Sequence, residues 1–185
     1  MKFLKIFFKN ILTIIIIFVI LALINRWYLG GFSKPVAAEK SVGAYTIAYV
    51  SFTGNYGKVW PSMAKVYEAL SGAGIISATG VGIYYDDPTT VSWADLRSDV
   101  GSVIDPKDKS KLAKNKEIKI VTFPAGTKIV VEFPLKNNLS YMIGPMKAYP
   151  VMTKYMEEKW YKAVPMMELY DVGAKKIYYI ADIVK

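Results

Sequence analysis

The sequence predicts an α+β fold. Two β-α-β-β units in tandem form one antiparallel sheet with two helices on one face, preceded by one transmembrane helix. Three observations carry this prediction. Val81-Gly-Ile-Tyr-Tyr-Asp86 is echoed 85 residues later by Met166-Met-Glu-Leu-Tyr-Asp171. The order strand, helix, strand, strand occurs twice. Ile11 to Ile24 is apolar throughout except for Thr13.

The elements follow in chain order. Ile11–Ile24 spans roughly 21 Å as a helix, short of a hydrocarbon core of about 30 Å. Phe7 and Phe8 before it and Trp27 and Tyr28 after it extend the span to residues 7–29, with Lys9 and Arg26 able to snorkel. A cleaved signal peptide is the alternative, with Val36-Ala37-Ala38 as a passable site, although that site lies well beyond the apolar run. Lys2, Lys5 and Lys9 precede the run and Arg26 follows it. This bias places the N-terminus in the cytoplasm and the domain outside, in the periplasm if the cell is Gram-negative. Residues 1–30 are therefore read as an anchor contacting the lipid bilayer, 31–42 as a linker and 43–185 as the domain.

Thr46–Phe52 is rich in β-branched and aromatic residues, which suits a strand. Apolar residues at helical spacing follow from Tyr56 to Leu70, ended by Ser71-Gly-Ala-Gly74. Val81–Tyr85 is a strand turned by Asp86-Asp87-Pro88, a turn rather than a metal site. Leu96–Ile104 is another strand, in which Arg97 and Asp99 form surface pairs. Asp105–Lys116 is a polar connector, and Ile118–Phe123 an added strand. The second unit runs through Thr127–Phe133, a helix from Tyr141 to about Lys159, Pro165–Tyr170 and Lys176–Ile183. Pro145 fits the first turn of its helix, and Pro150 predicts either a kink or a later start of the helix.

Composition narrows the chemistry. The chain is 53% hydrophobic with 14 tyrosines and 4 tryptophans, which excludes a disordered chain. It has no Cys and no His, which excludes thiol catalysis, disulfides, thiolate metal sites and histidine bases. No cofactor or metal is expected. The net charge of +9 is spread thinly rather than gathered into a basic stripe, so no nucleic-acid partner is expected.

The echo isolates one residue. Aligning Tyr85-Asp86 with Tyr170-Asp171 places Ile83 opposite Glu168, a carboxylate among residues that otherwise look buried. Such a charge has a partner or a purpose. Two readings stay open: a counter-ion in a groove, or a salt bridge to Lys175 or Lys176.

The order of Gly54-Asn-Tyr-Gly57, Gly82-Ile-Tyr-Tyr-Asp-Asp-Pro88, Phe123-Pro-Ala-Gly126 and Glu168-Leu-Tyr170 resembles the GyrI-like domain. This domain is also known as the effector-binding domain of AraC-type regulators. With Val100-Gly-Ser102, the likeness extends to a membrane-anchored subgroup. The resemblance covers about Gly43 to Lys185 and implies a groove binding small cationic or aromatic molecules, with Glu168 pointing into it. Tyr170, Tyr85, Trp60, Tyr141 and Tyr149 are the aromatic candidates around it. It does not extend to a DNA-binding region, so the chain is not expected to be a regulator of that kind. A weak hydrolase of strained electrophiles acting through Glu168, or a ligand-free adaptor, are the alternatives.

Overall fold

The computed structural model describes residues 2–28 and 33–185, with side chains at residues 9–24 and from Ser33 onward. Leu29–Phe32 and the side chains of Lys2, Lys5, Phe7, Phe8, Arg26, Trp27 and Tyr28 lie outside the described residues. Helix α1 is Lys2–Tyr28. Every side chain described in it, Lys9 to Ile24, stands exposed. Among the described residues no helix is long and apolar enough to cross a membrane.

The domain holds strands β1 (Ala37–Val42), β2 (Tyr45–Thr53), β3 (Thr79–Tyr84), β4 (Arg97–Ile104), β5 (Lys119–Phe123), β6 (Gly126–Pro134), β7 (Met166–Asp171) and β8 (Lys176–Ala181). Helices α2 (Trp60–Gly72) and α3 (Ser140–Glu158) lie between strands in each half. The eight strands form one sheet in the order β1-β6-β8-β7-β3-β4-β2-β5, and every pairing is antiparallel. The expected duplication is plain in this order. Antiparallel pairing of β3 with β7 joins the halves, with β4 and β2 on one side and β8 and β6 on the other. Strands β2 and β6 are both nine residues long.

Register corrects one expectation. At the seam Gly82 pairs with Glu168, and Ile83 pairs with Met167. Strand side chains alternate faces, so a one-residue slip moves a side chain to the other side of the sheet. The counterpart of Glu168 is thus Gly82, and that of Tyr170 is Tyr84. Ile83 belongs with Val81 and Met167 on the opposite face.

Both helices pack on one face. α3 sets Ala148, Met152 and Met156 against Ile129, Val131, Phe133, Ile177 and Tyr179. α2 sets Val66 and Leu70 against Ala48 and Ile104. The stop of α2 follows the sequence: Gly74 takes φ 65°, Ile75 N–H reaches the Leu70 carbonyl at 2.9 Å, and Gly74 N–H reaches that of Ser71 at 3.0 Å. α3 runs through Pro145 and Pro150, each of which removes one helical N–H donor.

The other face is apolar too, although among the described residues none of its buried side chains comes from a helix. Its Ile47, Val81, Val130, Met167, Leu169 and Ile180 are buried. Topology supplies the reason. β1 at one edge joins β2, next to the other edge, through Gly43-Ala44, and β5 joins β6 through Pro124-Ala125. Two residues reach only about 10 Å between flanking strands, so the sheet must curl until its edges approach. Lys128 on β6 stands 4.9 Å from the ring centroid of Phe123 on β5 and is ion-paired with Asp182.

Two expectations about segments change. Residues 37–42, read as part of a linker, form β1, paired with β6 along its whole length. The polar connector after β4 holds a 3-10 helix, Pro106–Leu112, whose start is capped by Asp105 accepting from Lys107 N–H.

Candidate functional site

β7 carries Glu168 and Tyr170 on the helix-covered face because they are two residues apart. Glu168 is 3% exposed. The Tyr149 hydroxyl, from α3, donates to its Oε1, and the Tyr170 hydroxyl donates to its Oε2 at 2.9 Å. The Tyr84 and Tyr170 hydroxyl oxygens lie 3.0 Å apart in a further hydrogen bond. Neither lysine considered as a partner pairs with Glu168. Lys176 is bound instead to Glu132 at 2.6 Å, which also takes Lys40 at 2.6 Å. Phenols, not a cation, thus satisfy this carboxylate among the described residues.

Burial raises the Glu168 carboxyl to about 7, against the lowering effect of the Tyr149 and Tyr170 hydrogen bonds. The phenols respond in the opposite sense. Burial, then the neighbouring carboxylate, pushes Tyr149, Tyr170 and Tyr84 upward, so all remain neutral donors. Tyr179, fully buried on β8 and paired in register with Glu168, is also raised by burial. Its hydroxyl has no hydrogen-bond partner among the described residues.

Aromatic rings extend the cluster outward. Tyr141 makes edge contacts with Tyr170 at 5.4 Å and with Trp60 at 5.2 Å. Tyr149 meets Tyr179 at 5.6 Å, and Tyr84 meets Tyr56 at 4.8 Å. Two glycines make room. A Cβ on Gly82 would stand 2.8 Å from the Tyr84 ring, and a Cβ on Gly144 would collide with the Tyr179 hydroxyl. The Tyr84 ring therefore fills the place that a side chain at Gly82 would occupy.

The structure brings together Glu168, Tyr170, Tyr149, Tyr141 and, as the outermost ring, Trp60. Tyr85 is not with them: its side chain is 40% exposed and its hydroxyl donates to Asp99 at 2.7 Å on the other face. Arg97 pairs with Asp86, not with Asp99, holding the β3–β4 turn through Nε at 3.0 Å and Nη2 at 2.7 Å. Sequence reasoning missed Tyr84 and Tyr179. Matching Gly82-x-Tyr84 to Glu168-x-Tyr170, rather than the two Tyr-Asp pairs, finds Tyr84. No local pattern marks Tyr179. Among the described residues no group of acidic side chains could hold a metal ion.

The cluster is closed over Glu168. Beside it, a cavity of about 720 Å³ is lined by Leu135, Asn137, Tyr141 and Val172. Tyr141 is shared by the cavity and the aromatic cluster.

A profile of the GyrI-like small molecule binding domain matches residues 38–162. The chain belongs to the GyrI-like family. It is 25% identical over 144 residues to mouse testis-expressed protein 264 homolog, an alignment that covers 72% of this chain and 44% of that protein. It spans about half the length of the curated relatives it matches. Among solved structures, the EcmrR C-terminal domain superposes with TM-score 0.59 at 13% identity, covering 82% of this chain and 98% of that one. SAV2435 bound to tetraphenylphosphonium superposes with TM-score 0.50 at 16% identity, covering 80% and 93%. These likenesses show the fold. The family match makes the GyrI-like domain of this chain a small-molecule-binding module.

Proposed function

We propose that this GyrI-like domain takes lipophilic, aromatic cations into the Glu168 cluster while tethered to a membrane by α1. One observation carries the first part: a buried carboxylate whose partners are neutral phenols. A buried carboxylate with no cation is held at a cost. A ligand that brings its own diffuse positive charge relieves this cost and gains cation–π attraction from the surrounding rings. A strongly hydrated cation would lose too much water to enter, so the preference is for charge spread over apolar groups. The solved SAV2435 complex, whose ligand is tetraphenylphosphonium, supports the same choice of ligand class. Since the cluster is closed, uptake requires Tyr141 to swing from its place between the 720 Å³ cavity and Tyr170.

The tether is supported by α1 itself. Ile11 to Ile24 is exposed and apolar except for Thr13, which turns its hydroxyl back onto the Lys9 carbonyl at 2.9 Å. The lysine bias at its N-terminal end orients the domain outside the cytoplasm.

The test is titration of the full chain in detergent with tetraphenylphosphonium. The expected result is saturable binding that Glu168→Gln weakens roughly ten-fold or more, by removing the counter-charge while keeping the shape. Binding unchanged in Glu168→Gln, or no binding to the wild type, overturns the assignment.

A further inference from the structure

We infer that the curled interior of the sheet, on the face away from Glu168, is a second binding site for small aryl-alkyl amines. The inference is independent of the Glu168 reading. The curl leaves a cavity of about 330 Å³ beneath the Gly43-Ala44 link, within the range of small-ligand pockets. Val103, Val130, Leu169 and Ile180 supply an apolar floor. Its polar lining includes Tyr45 from β2, Tyr178 from β8 and Asp171 from β7, beside Lys40, Ser41, Thr79 and Glu132.

Neither the Tyr45 nor the Tyr178 hydroxyl is hydrogen-bonded to another described residue. Burial, then Tyr178 and Asp171, raises the Tyr45 phenol, which places the three groups within electrostatic reach of one another and keeps Tyr45 a neutral donor. One Asp171 oxygen accepts from Ala174 N–H at 2.8 Å. Asp171 also lines the cavity. The nearby acid Glu132 is already engaged by Lys40 and Lys176. An ammonium thus finds one available carboxylate and two phenol rings, and an aryl group on a short alkyl arm reaches the aliphatic floor. This pairing of one localised charge with an apolar slot selects a primary aryl-alkyl amine over a delocalised cation.

Phenethylamine is the probe, titrated calorimetrically into the full chain in detergent at pH 7.5. Saturable binding is expected. Asp171→Asn should weaken it roughly ten-fold or more while keeping the oxygen that accepts from Ala174. Thr79→Phe, in the cavity lining, should block it, and 2-phenylethanol should bind at least ten-fold more weakly than the amine. Glu168→Gln should leave it unchanged. Absence of saturable heat, equal binding by Asp171→Asn, or loss in Glu168→Gln each overturns the inference.

Discussion

At the scale of single residues, Glu168 ties stability to pH. Its folded-state pKa is about 7 against an ordinary 4.5, so between these values the folded chain holds a proton that the unfolded chain has released. Stability then falls as pH rises through this window, and the loss is complete above about 7. The shift corresponds to roughly 3 kcal/mol. Glu168→Gln removes the titration but keeps an acceptor for the phenols. Wild type is expected to lose stability relative to Glu168→Gln between pH 5 and pH 8, measured as chemical-denaturation midpoints. A parallel pH dependence in both proteins would show that Glu168 ionises normally. The carboxylate was legible in the sequence because an acid in a strand of apolar and aromatic residues breaks the pattern. Its surroundings were less so. Tyr84 and Tyr85 are adjacent and chemically identical, and only the pairing of Gly82 with Glu168 decides which of them faces the helices. Tyr179 depends on the β7–β8 register, which no spacing within one strand reveals.

At the scale of elements, the two helices stop in the same way with different residues. α2 ends with Gly74 in the left-handed region, where glycine bears no Cβ penalty. α3 ends with Trp160 in that position, at φ 58°, with Tyr161 N–H bonded to the Met156 carbonyl at 2.9 Å. A side chain there costs about 1–2 kcal/mol. Trp160 is 90% exposed, so little packing offsets that cost. Trp160→Gly is therefore expected to stabilise the domain by about 0.5–1 kcal/mol after the extra entropy of glycine in the unfolded chain. Thermal unfolding should show a rise of roughly 1–4 °C, and a fall would mean that Trp160 makes a stabilising contact. Element type was readable wherever periodicity was strong, as in β2, β6 and α2. β1 escaped because Ala-Ala-Glu-Lys-Ser-Val mixes small and charged residues without alternation, and an edge strand needs only one paired side. Its place is set by β6, whose hydrogen-bonding edge it completes.

At the scale of the whole molecule, β1 closes the design. The sheet was foreseeable as two repeats meeting at a seam, but its curl was not, because curvature depends on which distant strands the short links must connect. The link from β1 to β2 draws the two edges together and shelters Val130 and Ile180 on the inner face. A fragment cut at Gly43, where the family resemblance begins, would lose six residue pairs with β6 and that link. It would also expose the β6 edge, a template for aggregation. The comparison is between fragments 33–185 and 43–185, unfolded side by side. If β1 contributes about 3 kcal/mol through its ladder and the closure it enforces, the shorter fragment melts roughly 6–12 °C lower. It should also self-associate at concentrations where the longer one stays monomeric. Equal melting temperatures and equal solubility would mean that the curl is held by the core on the helix side alone. β1 would then be an attachment between α1 and an already complete domain. Such a result would leave the Glu168 cluster untouched, since none of its members contacts β1 through a hydrogen bond or ring pair. The inner cavity would lose its roof in either case, because Lys40, Ser41 and Val42 line it.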